Sequence, residues 1–252
     1  HMFKAKSLTS IMTKLHQCKY RFGFTGTLGD TETHRLVLEG LFGSVEQVVT
    51  TKELIDKKTL ANLKIKCITL KHPEKRERMT YAEELDYLVS KESRNRFILD
   101  LCNTISGNTL VLFQLVEKHG KVLYDEMKGK ENVYFVYGGT DTDQREKIRG
   151  LVEKHKNSTT IASYGTFSTG INIRNIHNIV LASPSKSKIR VLQSIGRGLR
   201  TSSTKDSILI FDIADDISYK DRRNFTLNHF FERLNIYNEQ QFNYEISKVR
   251  IK

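Results

Sequence analysis

Between Leu63 and Phe211 short apolar runs alternate with amphipathic stretches, and no other feature narrows the folds open to this chain as much. The apolar runs are Ile65–Leu70, Thr109–Gln114, Val133–Tyr137, Thr159–Ser163, Ile176–Ala182 and Ser207–Phe211. They lack the polar–apolar alternation of a strand with one wet face, so they read as strands covered on both sides, the habit of a parallel sheet. The stretches between them carry helical spacing: 80–105 as one long helix, 116–128, 141–155 with Asp141 as its N-cap, and 189–195. The pattern predicts a doubly wound, mostly parallel α/β sheet over 63–215, with helices on both faces and right-handed crossovers. Ligands of such sheets gather beyond the carboxyl ends of the strands, so that is where the chemistry is expected.

The flanks read differently. Residues 3–20 predict an amphipathic helix with Leu8, Ile11, Met12 and Leu15 on one face. Tyr20–Phe24 reads as a short strand running into a Gly/Thr turn. Residues 29–62 read as helical pieces broken at Gly40, Gly43 and Thr50-Thr51, so 1–62 is taken as a connector ahead of the main domain. In 216–252, Phe225, Phe230, Phe231, Leu234, Tyr237, Phe242 and Tyr244 recur at helical spacing and predict a C-terminal helical extension. Those aromatics read as core rather than as stacking platforms for bases.

The formal net charge of +12 draws such a chain to polyanions, nucleic acid first and anionic membrane second. No run approaches the about 18 to 20 apolar residues of a membrane span, so no membrane partner is expected. Cys18, Cys67 and Cys102 form no CxxC pair and read as thiols of a reducing, cytoplasmic compartment. The histidines are scattered without ligand spacing, and no metal site is predicted. The opening His1-Met2 reads as a cloning remnant, with the native chain expected to begin earlier.

Three motifs carry chemistry. Gln193-Ser194-Ile195-Gly196-Arg197-Gly198-Leu199-Arg200 has the spacing Q-x-x-G-R-x-x-R. Its two arginines, three apart, share a helical face and can converge on one multiply charged oxyanion. A tight helix exit is expected at Gly196, with the guanidinium pair projecting from the mouth of the sheet. A solvated basic helix end would carry the same letters. The second motif, Thr160–Asn172, is a strand followed by a hydroxyl- and glycine-rich turn suited to phosphate; an ordinary βα loop has the same composition. The third, Phe24-Thr25-Gly26-Thr27, is a hydroxyl–Gly–hydroxyl turn.

Taken in order, these motifs resemble those of superfamily-two helicases: Phe24–Thr27 is similar to motif III, Thr109–Gln114 falls at motif IV, Ile161–Asn172 resembles motif V and Gln193–Arg200 motif VI. Within that family the likeness is to the branched-DNA helicases of T-even phages. The resemblance implies a RecA-like second lobe and a role for each matched residue. Arg197 and Arg200 would reach the γ-phosphate of ATP, Gln193 would line the nucleotide cleft, and Gly170 and Asn172 would lie near the ribose, where many relatives carry Asp in place of Asn172. Gln114, Ser163 and Thr166 would face a DNA backbone, joined by Lys186 and Lys188 as a phosphate patch. Thr25, Gly26 and Thr27 would couple the lobes, and Gly138-Gly139-Thr140 is a further backbone-contact candidate.

No G-x-x-x-x-G-K-[ST] run is present: Gly120-Lys121 and Gly129-Lys130 lack both the upstream glycine and the following hydroxyl. Asp125-Glu126 copies an acidic metal motif in letters but falls in a predicted helix. The resemblance therefore implies that ATP and Mg²⁺ are held mostly by an N-terminal lobe of the same protein, that this piece alone is inactive, and that the intact enzyme is a monomeric ATP-dependent DNA helicase. The alternative is a stand-alone nucleic-acid-binding module without ATPase activity. A dinucleotide enzyme of doubly wound fold lacks its G-x-G-x-x-G.

Overall fold

The computed structural model describes residues 6–26, 32–73, 79–169, 173–184, 187–201 and 205–251. The chain divides into two compact units, His1–Thr50 and Thr51–Lys252. In the first, α1 (Lys6–Lys14) packs on α2 (Glu32–Phe42), burying Met12, Leu38 and Leu41. Helix α2 runs through Gly40 and stops at Gly43, whose positive φ of 92° lets its N–H close back on Glu39 O at 2.8 Å. The strand expected at Tyr20–Phe24 does not form, and Phe24 is 95% exposed. The described residues of this unit contain no other strand, and a solitary strand leaves its backbone groups unpaired.

The second unit begins with α3 (Thr51–Asp56), β1 (Asn62–Lys71), α4 (Tyr81–Ser90) and α5 (Glu92–Thr104). The single helix expected over 80–105 is thus two, parted at Lys91, whose ψ of 110° is extended. Thr80 and Glu83 form a reciprocal capping box at the start of α4. Then follow β2 (Thr109–Phe113), a π-helical turn at Val116–Gly120, α6 (Lys121–Met127), β3 (Val133–Val136) and α7 (Thr142–Lys154), with Asp141 capping α7 through Asp143 N. The order closes with β4 (Thr159–Ser163), α8 (Tyr164–Thr169), β5 (Asn178–Leu181), α9 (Lys188–Gly198), β6 (Ser207–Asp216), α10 (Phe225–Glu239) and β7 (Tyr244–Arg250).

The strands form one seven-stranded sheet in the order β3-β4-β2-β5-β6-β1-β7, parallel at every pairing. β2, β4 and β5 are buried at every position, as their unbroken apolar runs require. Each face is covered by its own apolar cluster, one under α7, α8, α9 and α10, the other under α5 and α6. At about 1.5–3 kcal/mol for each fully buried large aliphatic or aromatic side chain, these two layers supply most of the drive to fold.

The tail departs from its expected all-helical form. α10 ends where Gln241 takes a φ of 54°; Phe242 then packs into the core and β7 joins the sheet edge beside β1. Residues 51–62 and 216–252 therefore belong to the sheet-bearing unit. No helix among the described residues is long and apolar enough to cross a membrane.

Candidate nucleotide and nucleic-acid edges

A parallel sheet has two chemically distinct edges, and the connection β5–α9–β6 assigns the arginine motif to one of them. A crossover helix between parallel strands must run against them. α9 therefore starts near the carboxyl ends of β5 and β6 and finishes near their amino ends. The contacts agree: a Cβ on Gly198 would lie 2.1 Å from Ile208 Cδ1 and 2.8 Å from Ile179 Cδ1, the second residues of β6 and β5. Leu199 O accepts from Ala61 N at 2.8 Å, one residue ahead of β1. Arg197 and Arg200 thus sit toward the amino edge. The expectation that they project from the carboxyl mouth is corrected by helix direction alone.

The predicted helix exit at Gly196 is corrected too, because α9 continues through Gly198 and Leu199 caps it in helical conformation. This places Gln193 and Arg197 at i and i+4, both half-buried, with the exposed Arg200 two residues past the end of α9. Val191, Ser194, Ile195, Gly198 and Leu199 take the buried face, so packing fixes which way Gln193 and Arg197 look. The Arg197 guanidinium carbon lies 5.7 Å from the ring centre of Phe167 on α8. Burial, then the charge of Arg200, lowers the Arg197 pKa. Two cations held so close repel each other, and a bound polyanion relieves that cost.

Gln114, Ser163, Thr166 and the start of α9 gather at the opposite, carboxyl edge. Instead of the expected open turn after β4, α8 begins at once, with Ser163 and Thr166 both buried. Their hydroxyls lie 2.8 Å apart, and Thr166 N donates to Ser163 Oγ at 3.3 Å, as in an N-cap. Gln114 N donates to Ser183 Oγ at 3.1 Å. Gly138-Gly139-Thr140 is a closed turn in which Tyr137 N donates to Thr140 Oγ1 at 3.0 Å, and Arg145 Nη2 donates to Gly138 O at 2.9 Å. Asp125 and Glu126 lie within α6. Thr25 and Gly26 are exposed in the first unit. Thr27, Gly170, Asn172 and Lys186 lie outside the described residues, as does the side chain of Lys188.

Beneath the carboxyl edge is a polar network that motif reading missed. Arg94 of α5 is 0% exposed; its Nε donates to Asp215 Oδ1 at 2.8 Å and its Nη2 to Ala182 O at 2.7 Å. His72 Nε2 stands 2.8 Å from the same Asp215 oxygen. His119 Nδ1 stands 2.9 Å from Ser183 Oγ, and Tyr164 Oη donates to Ser183 O at 3.0 Å. The ends of β1, β2, β5 and β6 are thereby tied to one guanidinium and one hydroxyl. The available signal was spacing: Arg94, Ile98 and Cys102 recur every fourth residue, which puts the arginine on the apolar face of its helix.

Burial raises the Asp215 carboxyl, but the charge of Arg94 and the hydrogen bonds from His72 and Arg94 overcome it and leave the pKa at about 2. Burial, and then the charge of Arg94, pushes His119 down to about 3. The unfolded chain therefore takes up a proton at position 119 near pH 6.5 while the folded chain refuses it. Stability present above pH 6.5 is lost as pH falls toward about 3, on the order of 4 kcal/mol from this residue. Denaturant titrations between pH 7.5 and pH 4 check this. The native chain should lose about 3 kcal/mol more over that range than His119→Gln; parallel declines would refute it.

Residues 82–202 match the family model for the helicase conserved C-terminal domain. Over an alignment of 269 residues the chain is 34% identical to the ATP-dependent DNA helicase uvsW of Enterobacteria phage T4, covering 100% of this chain and 53% of that protein. The crystal structure of T4 UvsW superposes with a TM-score of 0.67, covering 97% of this chain and 51% of that one. The chain thus spans about half the length of this relative. Dbp5 of S. cerevisiae, solved with RNA and ADP BeF3, shares the fold at TM-score 0.53 and 16% identity, covering 90% of this chain and 50% of that one. The ATP-dependent Type ISP restriction-modification enzyme LlaBIII bound to DNA shares it at 0.57 and 12%, covering 84% and 17%.

Proposed function

This chain belongs to the superfamily-two helicases as their C-terminal lobe, and we propose that in the intact protein its two sheet edges divide the labour of an ATP-driven DNA motor. The amino edge serves the nucleotide. Arg197 and Arg200 reach the γ-phosphate of an ATP held mainly by an N-terminal lobe, Gln193 lines the cleft beside them, and Gly170 and Asn172 lie near the ribose. The carboxyl edge serves the DNA backbone through Gln114, Ser163, Thr166, Lys186 and Lys188. Ser163 and Thr166 reach a phosphate by exchanging their mutual hydrogen bond for one to its oxygen. Thr25, Gly26 and Thr27 couple the lobes.

The observation that carries this reading is that Gln193 and Arg197 of α9, with Arg200 just past its end, run toward the edge opposite Gln114 and Ser163. With the two ligands at opposite ends of α8 and α9, closure on ATP moves the arginine edge and the DNA edge as one rigid body. Guanidinium forks suit the fit, since they stay charged and match phosphate oxygens in pairs. Mg²⁺ held by the other lobe supplies charge neutralisation at the β- and γ-phosphates. Repeated closure advances a monomer along branched or duplex DNA, in repair, recombination or replication in the cytoplasm.

The test is to join the upstream lobe and assay ATP hydrolysis with and without branched DNA. The joined protein should turn over ATP in a DNA-stimulated manner. The 252-residue piece should show no turnover and should bind DNA with strong salt dependence. A joined protein that binds DNA without hydrolysing ATP would establish the stand-alone binding module instead.

A further inference from the structure

Lys205 stands just ahead of β6 at the amino edge and is only 5% exposed. A buried ammonium is costly unless carbonyls or carboxylates meet it, and a methionine would fill the same space without that cost. Its Nζ donates closely to Gly198 O and, at 3.4 Å, to Arg174 O. Gly198 lies between Arg197 and Arg200, and its carbonyl faces out of the last turn of α9, where the helix dipole favours a cation. On the other side the tie continues into the fold. Arg174 N donates to Glu153 Oε1 of α7 at 2.6 Å, and Asn175 O accepts from Asn108 Nδ2 at 2.9 Å. Asn108 is itself fully buried at the start of β2 and also donates to Val152 O at 3.0 Å and His155 O at 2.8 Å.

We propose that Lys205 is a positioning residue for the arginine motif, clamping the carbonyl between Arg197 and Arg200 to the segment at Arg174 so that both guanidinium groups meet the triphosphate in fixed register. The inference rests on the reading that those arginines serve ATP. Packing alone does not call for a charge here, whereas holding a helix end against a fixed loop does. Burial lowers the Lys205 pKa to about 8, with Glu153 on α7 raising it in part. Glu153 is the charged group whose field acts on it, while Arg174 and Gly198 face it with carbonyls. The clamp therefore weakens as pH rises through about 8.

In the intact protein, Lys205→Met should lower kcat for DNA-stimulated ATP hydrolysis about 10- to 100-fold, the effect of a small misplacement of a transition-state group. KM for ATP and DNA affinity should change much less. Lys205→Arg, which keeps the charge, should recover most of kcat. The native enzyme should lose kcat above about pH 8 with no matching fall in melting temperature, and Lys205→Arg should move that limb upward. The native pH profile needs no variant, so it decides the matter even if Lys205→Met fails to fold. A native profile flat through pH 9, or a folded Lys205→Met with native kcat, overturns the proposal. Arg197→Ala, run alongside, separates the two readings: native turnover in that variant would remove the premise, while loss of turnover there with a silent Lys205 removes only the clamp.

Discussion

Replacing Arg197 by alanine in the intact protein is expected to reduce DNA-stimulated ATP hydrolysis about 10³-fold or more while leaving DNA affinity within a few-fold. The magnitude is that of an arginine delivered to the transferring phosphoryl group, worth about 10³ to 10⁵ in rate in the NTPases that use one. The separation of effects follows from the fold. Arg197 is in the last turn of α9, at the amino edge, whereas Gln114, Ser163 and the start of α9 lie at the other end of the strands. Removing the side chain also relieves its repulsion with Arg200 and uncovers the Phe167 ring, both modest in scale, so the lobe should remain folded. Steady-state ATPase and DNA-binding titrations on one preparation check this. Turnover within a few-fold of native would contradict it.

Arg233→Met in this chain is expected to cost about 3–5 kcal/mol, the cost of stranding a buried charge. Arg233 Nε and Nη2 donate to both oxygens of Asp212 at 2.7–3.0 Å, and Tyr237 Oη adds a third donor at 2.8 Å. Asp212 is 0% exposed in the middle of β6, so no water replaces the guanidinium. Burial alone would lower the Arg233 pKa, and Asp212 reverses this to well above the ordinary value. In a unit of this size the loss should lower the melting temperature by about 10 °C. Asp212→Asn added to Arg233→Met removes the stranded charge but keeps an acceptor for Tyr237, so the double variant should regain at least half of the lost stability. A double variant no more stable than the single would show that packing, not charge, sets the cost.

β2, β4 and β5 were legible because burial on both faces leaves no choice of polarity along them, and Asp141 announced α7 through ordinary capping chemistry. Asp212 and Asp215 of β6 lie past the apolar run Ser207–Phe211, and the arginines that meet them are a matter of tertiary structure. Other features had no local signal. The break at Lys91 uses neither Gly nor Pro. β7 has one neighbouring strand and mostly exposed side chains, so aromatic spacing carried the helical reading past its end at Gln241. Tyr20–Phe24 has strand composition, but the described residues of its own unit offer no strand to pair with. The Q-x-x-G-R-x-x-R spacing was legible in the letters, but the edge it occupies was not. A motif gives spacing, whereas the edge follows from the direction in which a crossover helix must run between parallel strands. Lys205 has no motif at all and is found only by asking what the carbonyl between two arginines is bonded to.

A crystal structure of the intact protein with a non-hydrolysable ATP analogue, Mg²⁺ and a DNA duplex bears most directly on the division between edges. The account predicts guanidinium nitrogens of Arg197 and Arg200 at hydrogen-bond distance from the γ-phosphate, with the DNA backbone running past Gln114, Ser163 and Thr166. A nucleotide seated over the carboxyl ends of the strands, with both arginines turned away from it, would contradict the account.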